Sequence, residues 1–368
     1  MYIQQIHLKN FRNYLDQKVN FHDKVNIIIG NNAQGKTNLL EAVYMTSFAK
    51  SFRTNRDHDM ILFDKENAKI EALAQKNNIE LDVEIFLNKN TKKMIKLNGV
   101  KLKKNIEILN NIYTVIFSPE DLRIVKDGPE KRRNFINREL CQIKPIYYHN
   151  LYKYSKILLQ RNAFLKNYKF QKDESMLSIW NQEIIHYGLN IIKERDIFIK
   201  KLNQISSHIY SNVTDGKEYL ELSYECNVKV SENHVSNNKK IYEDALKNAE
   251  KKDYLRGNTS VGPHKDDIHI SVNGQDVRYF GSQGQQRTAS LSLKLAEIQL
   301  IYEETGEMPI LLLDDVFSEL DATRQKYLIN FLKNMQVFIT TTDISEFLRN
   351  NLPENYIFQV HGGSVEKV

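Results

Sequence analysis

Residues 30–38 read Gly30-Asn31-Asn32-Ala33-Gln34-Gly35-Lys36-Thr37-Asn38. The pattern G-x-x-x-x-G-K-[ST] points to one kind of chemistry, the holding of a polyphosphate. Its glycines let the backbone curl so that successive N–H groups face phosphate oxygens. A helix that starts immediately afterwards adds positive potential from its N-terminus. Lys36 is placed to supply a point charge to the β- and γ-phosphates. Thr37 is placed to supply a hydroxyl to Mg²⁺. Far along the chain, Ile310-Leu311-Leu312-Leu313 ends in Asp314-Asp315. Asp314 is suited to holding Mg²⁺, directly or through water, and Asp315 to orienting an attacking water. Between the two lies Ser282-Gln283-Gly284-Gln285. Ser282 is a helix N-cap candidate, and Gly284 leaves backbone amides accessible. One triphosphate rarely needs two such helix ends from one subunit. The second end is therefore expected to face a nucleotide held by another copy.

These groups need elements to hold them. Val25–Ile29 is a short apolar run, expected as a buried strand feeding the loop, and Leu39, Leu40, Ala42 and Val43 begin a helix after it. Tyr2–Leu8, the alternating Leu81–Ile85, Pro309–Leu313 and Val337–Ile339 are further expected strands. A helix over about 147–169 and a second carrying Trp180, Ile184, Tyr187, Ile191, Phe198, Leu202 and Ile209 predict an antiparallel hairpin, with a polar turn at 167–175. Strands at both ends and helices between them give an α/β head with a mixed sheet and an inserted helical lid. The expected division is 1–130, 131–256 and 257–368.

The chain of 368 residues is long enough for about two domains. No segment approaches the roughly 20 apolar residues of a membrane helix, and the N-terminus lacks an export signal. The two cysteines, Cys141 and Cys226, have no CxxC spacing, which argues against a zinc site or a disulfide framework. A reduced, cytoplasmic protein is expected. The net charge of +6 permits a nucleic-acid partner without requiring one. Position is more informative. Residues 88–105 contain seven lysines and no acid, with Asn98-Gly99 as a two-residue hairpin signal. Lys92, Lys93, Lys101 and Lys103 are candidate phosphate contacts for duplex DNA. A lysine-rich edge strand guarding against aggregation explains the same residues. Lys131, Arg132 and Arg133 form a second basic cluster.

The constellation resembles the ABC-type ATPase heads: phosphate loop, S-x-G-Q signature, acidic strand, then Ser318-Glu319-Leu320-Asp321 as the D-loop. More narrowly it resembles the RecF family of bacterial recombination mediators. That match runs through Leu8–Tyr14, Gly30–Ala42, Ser51–Thr54, Phe117–Leu122, Gly128-Pro129 followed by Arg132-Arg133, Gly262–Asp267, Ser282–Thr288 and Leu313–Asp321. The resemblance implies ATP and Mg²⁺ as cofactors and an ATP-dependent homodimer. It also implies binding to double-stranded DNA and gap junctions, and action with RecR and RecO in loading RecA. A nucleoid-associated location and no membrane partner go with it. It assigns Arg12 and Asp321 to the nucleotide and Arg53 to DNA. Three positions depart from the general ABC pattern. Asp315 stands where Glu is usual, Glu120 occupies the Q-loop position, and Thr342 stands where a switch histidine is expected. The alternative, the ATPase subunit of a membrane transporter, predicts Glu at 315, Gln at 120 and His at 342. A P-loop kinase would lack the S-x-G-Q helix. His264, a family-motif residue, is expected to be a buried structural histidine.

Overall fold

The computed structural model describes residues 1–167, 174–230, 237–344 and 351–368. The chain divides into two compact units, 1–121 with 294–368, and 122–293. The expected boundaries at 130 and 256 are therefore corrected. Residues 257–293 group with the helical insertion because strand Asp267–Val272 pairs along its length with Leu220–Glu225. The S-x-G-Q segment accordingly belongs to the second unit, not to a C-terminal lobe of the head.

The first unit contains two sheets. One is antiparallel, with β1 (Tyr2–Phe11), β2 (Tyr14–Asn20), β4 (Asn67–Lys76), β5 (Ile79–Asn88), β6 (Met94–Leu97) and β7 (Val100–Lys101) in the order β2-β1-β4-β5-β6-β7. Its strands alternate as a half-covered sheet should: Leu81, Val83, Ile85 and Leu87 of β5 are buried, and their neighbours are less so. The other sheet is mixed. It comprises β3 (Val25–Ile29), β8 (Thr114–Phe117), β12 (Ile310–Asp314), β13 (Val337–Thr341), β14 (Asn355–His361) and β15 (Ser364–Lys367). The order is β15-β14-β3-β13-β12-β8, parallel except for the β14–β15 hairpin. Its strands β12 and β13 carry the buried apolar runs Ile310–Leu313 and Val337–Ile339, as strands covered on both faces do. Helix α1 (Lys36–Phe48) packs on β4 and β5 and also on β8, β12 and β13. Its apolar side chains are buried nearly all round, as a helix between two sheets requires. Helix α9 (Ala322–Phe331) follows β12, and α8 (Gln283–Thr305) enters this unit at Lys294.

The second unit holds α2 (Leu122–Lys126), α3 (Pro129–Ile143), α4 (Pro145–Asn167), α5 (Glu174–Val213), α6 (Asn238–Arg256) and α7 (Val277–Phe280). Its small sheet has β10 (Asp267–Val272) between β9 (Leu220–Glu225) and β11 (Gln275–Asp276). The predicted hairpin is α4 against α5. Lys144 pairs with Glu194 near one end, and Phe164 meets Trp180 near the other, so the helices run antiparallel. Most of its expected turn, 168–173, lies outside the described residues. The interior of this unit is unusually polar. Arg195 is buried and donates to Tyr147 Oη, Asn137 Oδ1, Pro263 O and Asp266 Oδ2. Arg161, also buried, reaches Asp253 and Thr259 Oγ1. His264 sits between Tyr154 Oη at 2.6 Å and Thr259 O at 2.8 Å. A carbonyl only accepts, so Nε2 carries the proton and Nδ1 accepts from the tyrosine. Burial pushes this histidine down to about 4, so it is a neutral structural link at physiological pH, as expected.

Candidate functional site

All five parallel strands end at one edge of the mixed sheet, the place where α/β folds put their ligands. β3 runs into the glycine loop, β12 into Asp314-Asp315, and β13 into Thr341-Thr342. β8 runs into Ser118-Pro119-Glu120, and β14 into His361-Gly362. Helix α1 begins at Lys36 with Gly35 as its N-cap, as the loop pattern predicts. Asn31, Asn32 and Ala33 are exposed, and Ala33 takes a left-handed backbone, φ 64°. Lys36 is buried, with Nζ 2.6 Å from Gly30 O and 3.0 Å from Asn31 O, so its charge sits at the centre of the loop.

The predicted pair of oxygen donors comes together. Thr37 Oγ1 donates to Asp314 Oδ1 at 2.9 Å, across 277 positions of sequence. A second hydroxyl, Thr340 Oγ1, donates to the same oxygen at 2.8 Å. Thr340 Oγ1 also accepts the Asp315 N–H at 3.1 Å. Burial pushes the Asp314 carboxyl above its usual range, and the Thr340 and Thr37 hydroxyls pull it back. Asp315 adds repulsion to that balance, and the positive charge of Arg53 relieves it. Asp315 itself is left-handed, φ 56°, a conformation that aspartate tolerates better than most residues. A hydroxyl and a carboxylate are hard donors of the kind Mg²⁺ takes.

The chain matches the model of the RecF/RecN/SMC N-terminal domain over residues 2–361. DNA replication and repair protein RecF of Clostridium botulinum is 43% identical over 369 residues, covering all of both chains. The RecF of Lachnoclostridium phytofermentans is also 43% identical over the full length of both. The chain belongs to the RecF family. A solved structure described as the recombination mediator protein RecF-ATP in the RecFOR pathway superposes with a TM-score of 0.93. It is 39% identical and covers 100% of this chain and 97% of that one. An Smc head bound to the C-winged helix domain of ScpA shares the fold alone, with a TM-score of 0.57 at 15% identity. The ABC-type head expected from the motifs is therefore the fold of this RecF-family chain. None of these matches is to a transporter subunit, and among the described residues no helix is long and apolar enough to cross a membrane.

Thr342 is exposed beyond β13, and it is Thr340 that reaches both acids. Nothing local in the sequence singles out Thr340, since only the parallel register pairs it with Asp314. Glu120 is exposed on the short turn after β8, on the same sheet edge. Arg12, expected at the nucleotide, gives Nε and Nη2 to the buried carboxylate of Glu41 at 2.7 and 2.6 Å, and Nη1 to Asp59 O. Arg53 donates to Asn38 Oδ1 at 2.7 Å and stands 3.6 Å from Glu41, so the two arginines share one acid on the flank of α1. Asp321 caps α9 by accepting the Arg324 N–H, and its other oxygen pairs with the Arg324 guanidinium.

In the second unit Ser282 is the N-cap of α8. Its Oγ accepts the Gln285 N–H at 3.2 Å, and Gln285 Oε1 accepts the Ser282 N–H at 2.9 Å, a reciprocal capping box. Gln285 Nε2 donates to Glu218, while Ser282 and Gln283 are exposed and Gly284 half-buried. The basic hairpin forms as expected, with Asn98 at φ 50° and Gly99 at φ 76°. Lys92, Lys101 and Lys103 are exposed, but Lys93 is mostly covered and lies 2.9 Å from Asp57. Arg132 is no surface contact. It is buried on the inner face of α3 and forms a two-pronged pair with Asp267 at 2.6 and 2.7 Å. Arg133 is half-buried and donates to Asp266 O.

Thr340→Val keeps the shape and removes the hydroxyl. It leaves Asp314 with one donor fewer and the Asp315 N–H without its acceptor. A destabilisation of about 1–3 kcal/mol is expected by urea unfolding, largely recovered in Thr340→Ser. Equal stability of Thr340→Val and the parent chain would mean that this hydroxyl does not support the acidic pair.

Proposed function

We propose that this chain is an ATP-dependent DNA-binding switch acting as a recombination mediator. The observation that carries the reading is the Thr37–Asp314 contact, which joins the phosphate loop to the acidic strand end at 2.9 Å. Solved RecF chains named with ATP in the RecFOR pathway support it, at 39% identity over the whole of this chain. Lys36 and the loop amides bind the phosphates. Thr37 and Asp314 would hold Mg²⁺, which would supply positive charge beside the phosphates. Asp315 orients the attacking water, with Glu120 on the same edge as a further acid. The N-terminus of α8, with Ser282, Gln283, Gly284 and Gln285, serves the nucleotide of a second copy. Two copies therefore close on two ATP molecules, and slow hydrolysis, stimulated by DNA, lets them part. The exposed lysines of the β6–β7 hairpin follow the phosphates of duplex DNA beside a gap, where the dimer acts with RecR and RecO in loading RecA. The setting is the cytoplasm, at the nucleoid.

Three results test this. Ser282→Arg places a bulky cation where the other copy's γ-phosphate would approach. It should leave ATP binding nearly intact and abolish the ATP-induced rise in light scattering. A mutant that still dimerises with ATP would sink the in-trans assignment. Asp315→Asn keeps the size and loses the charge. Turnover should fall about 10²-fold or more, the scale of a lost general base, and the ATP dimer should outlive the parent's. Near-normal turnover would shift the role to Glu120. On duplex DNA with a non-hydrolysable ATP analogue, Lys92, Lys101 and Lys103 changed together to Gln should lower the magnitude of the log–log salt slope by about 2 to 3, at roughly 0.9 per contact. Lys93→Gln alone should leave it unchanged. An unaltered slope in the triple variant would make the hairpin a solvated edge only.

A further inference from the structure

Gln34, in the middle of the phosphate loop, is gripped by two segments remote from it in sequence. Asn13 Nδ2, from the β1–β2 turn, donates to Gln34 O at 2.7 Å. The Gly363 N–H donates to the same carbonyl at 3.3 Å. The Gly362 N–H donates to Gln34 Oε1 at 2.7 Å. Asn13 Oδ1 accepts from Asn38 Nδ2 at 2.8 Å, so one side chain ties the loop to the helix it feeds. Next to it, the buried Tyr14 hydroxyl donates to Gly35 O at 2.9 Å, and burial keeps that phenol protonated.

The β14–β15 turn is itself fixed. β14 runs parallel to β3, with Gln359 opposite Ile29, so the turn emerges beside the loop. Gln17 exchanges two hydrogen bonds of 3.1 Å with the backbone of Val365, fastening the hairpin to β2. The fit leaves no room for side chains. A Cβ on Gly363 would lie 2.1 Å from Asn13 O, one on Gly30 2.5 Å from Val360 O, and one on Gly35 2.7 Å from Asn13 Nδ2. All three glycines also have positive φ.

We propose that Asn13 and the Gly362-Gly363 turn are positioning elements for the nucleotide. They hold Gln34 so that the loop amides face the phosphates before the ligand arrives. Ordering the loop in advance removes a cost that binding would otherwise carry. The inference rests on the reading of residues 30–37 as an ATP loop, and the experiment separates the two. The full chain is compared with Asn13→Ala, Gln34→Ala and the control Lys36→Ala. Readouts are binding of a fluorescent ATP analogue, KM and kcat for ATP, and DNA binding without nucleotide.

Asn13→Ala should weaken nucleotide binding and raise KM about tenfold, the scale of one or two lost hydrogen bonds. Its kcat at saturation should stay within about twofold and its DNA binding should be unaltered. Gln34→Ala, which loses only the Gly362 contact, should weaken binding about threefold, and it decides the matter if Asn13→Ala does not fold. Parent-like affinity in the folded variants, with Lys36→Ala inactive in binding, overturns the positioning role alone. A fall in kcat at unchanged KM also overturns it. Parent-like binding by Lys36→Ala overturns the loop assignment and the inference with it.

Discussion

A carboxylate drawn half out of water needs partners, and in the first unit the pairing of Asp314 is what the site depends on. Its Oδ1 takes a hydroxyl from Thr37, the second residue of α1, and another from Thr340 on the neighbouring strand. Those two contacts fix the distance between the glycine loop and the acidic strand end. The sheet makes them possible. In a parallel arrangement every strand delivers its following loop to the same edge, so segments at 30, 118, 314, 341 and 361 converge without any local sequence relation. Helix α1, covered by both sheets, has no freedom to carry Thr37 away from that edge.

The parts of this arrangement legible in the sequence were those whose physics is local. A glycine loop between a strand and a helix, an apolar strand ending in acids, an N-cap serine and an Asn-Gly turn each declare themselves within about ten residues. What stayed hidden depends on register or on burial. Thr342 stood at the family's switch position in a run of threonines at 340–342, yet strand pairing puts Thr340 opposite Asp314. The boundary at 293 was hidden for a similar reason. Residues 257–293 follow a helical insertion and precede the acidic strand, and only the β9–β10 ladder assigns them to the insertion. Asn13 lies in the Leu8–Tyr14 segment, but nothing in its spacing indicates that its amide spans Gln34 and Asn38.

Charge was the least legible property. Basic residues were counted from the sequence as available to a polyanion, and the fold withdraws several of them. Arg132 lies on the buried stripe of α3 with Phe135, Ile136, Glu139 and Leu140, where a guanidinium is tolerated only because Asp267 and two carbonyls satisfy it. Arg161 and Arg195 occupy similar places in the same unit. Such residues contribute to the net +6 without offering any field to a ligand outside.

The lysines of the hairpin divide along the same line. Lys93 faces Asp57, and a DNA phosphate would have to displace a carboxylate that already neutralises it. Lys92, Lys101 and Lys103 are exposed, and a phosphate meeting them displaces mainly water and counterions. Lys92 and Lys93 precede β6 and Lys103 follows β7, so the contact with Asp57, and not strand alternation, makes this division. Lys93 and Lys96, paired to Asp57 and Glu84, stabilise the sheet edge. The exposed lysines remain as sequence-blind point charges, suited to a partner recognised by its backbone rather than by its bases.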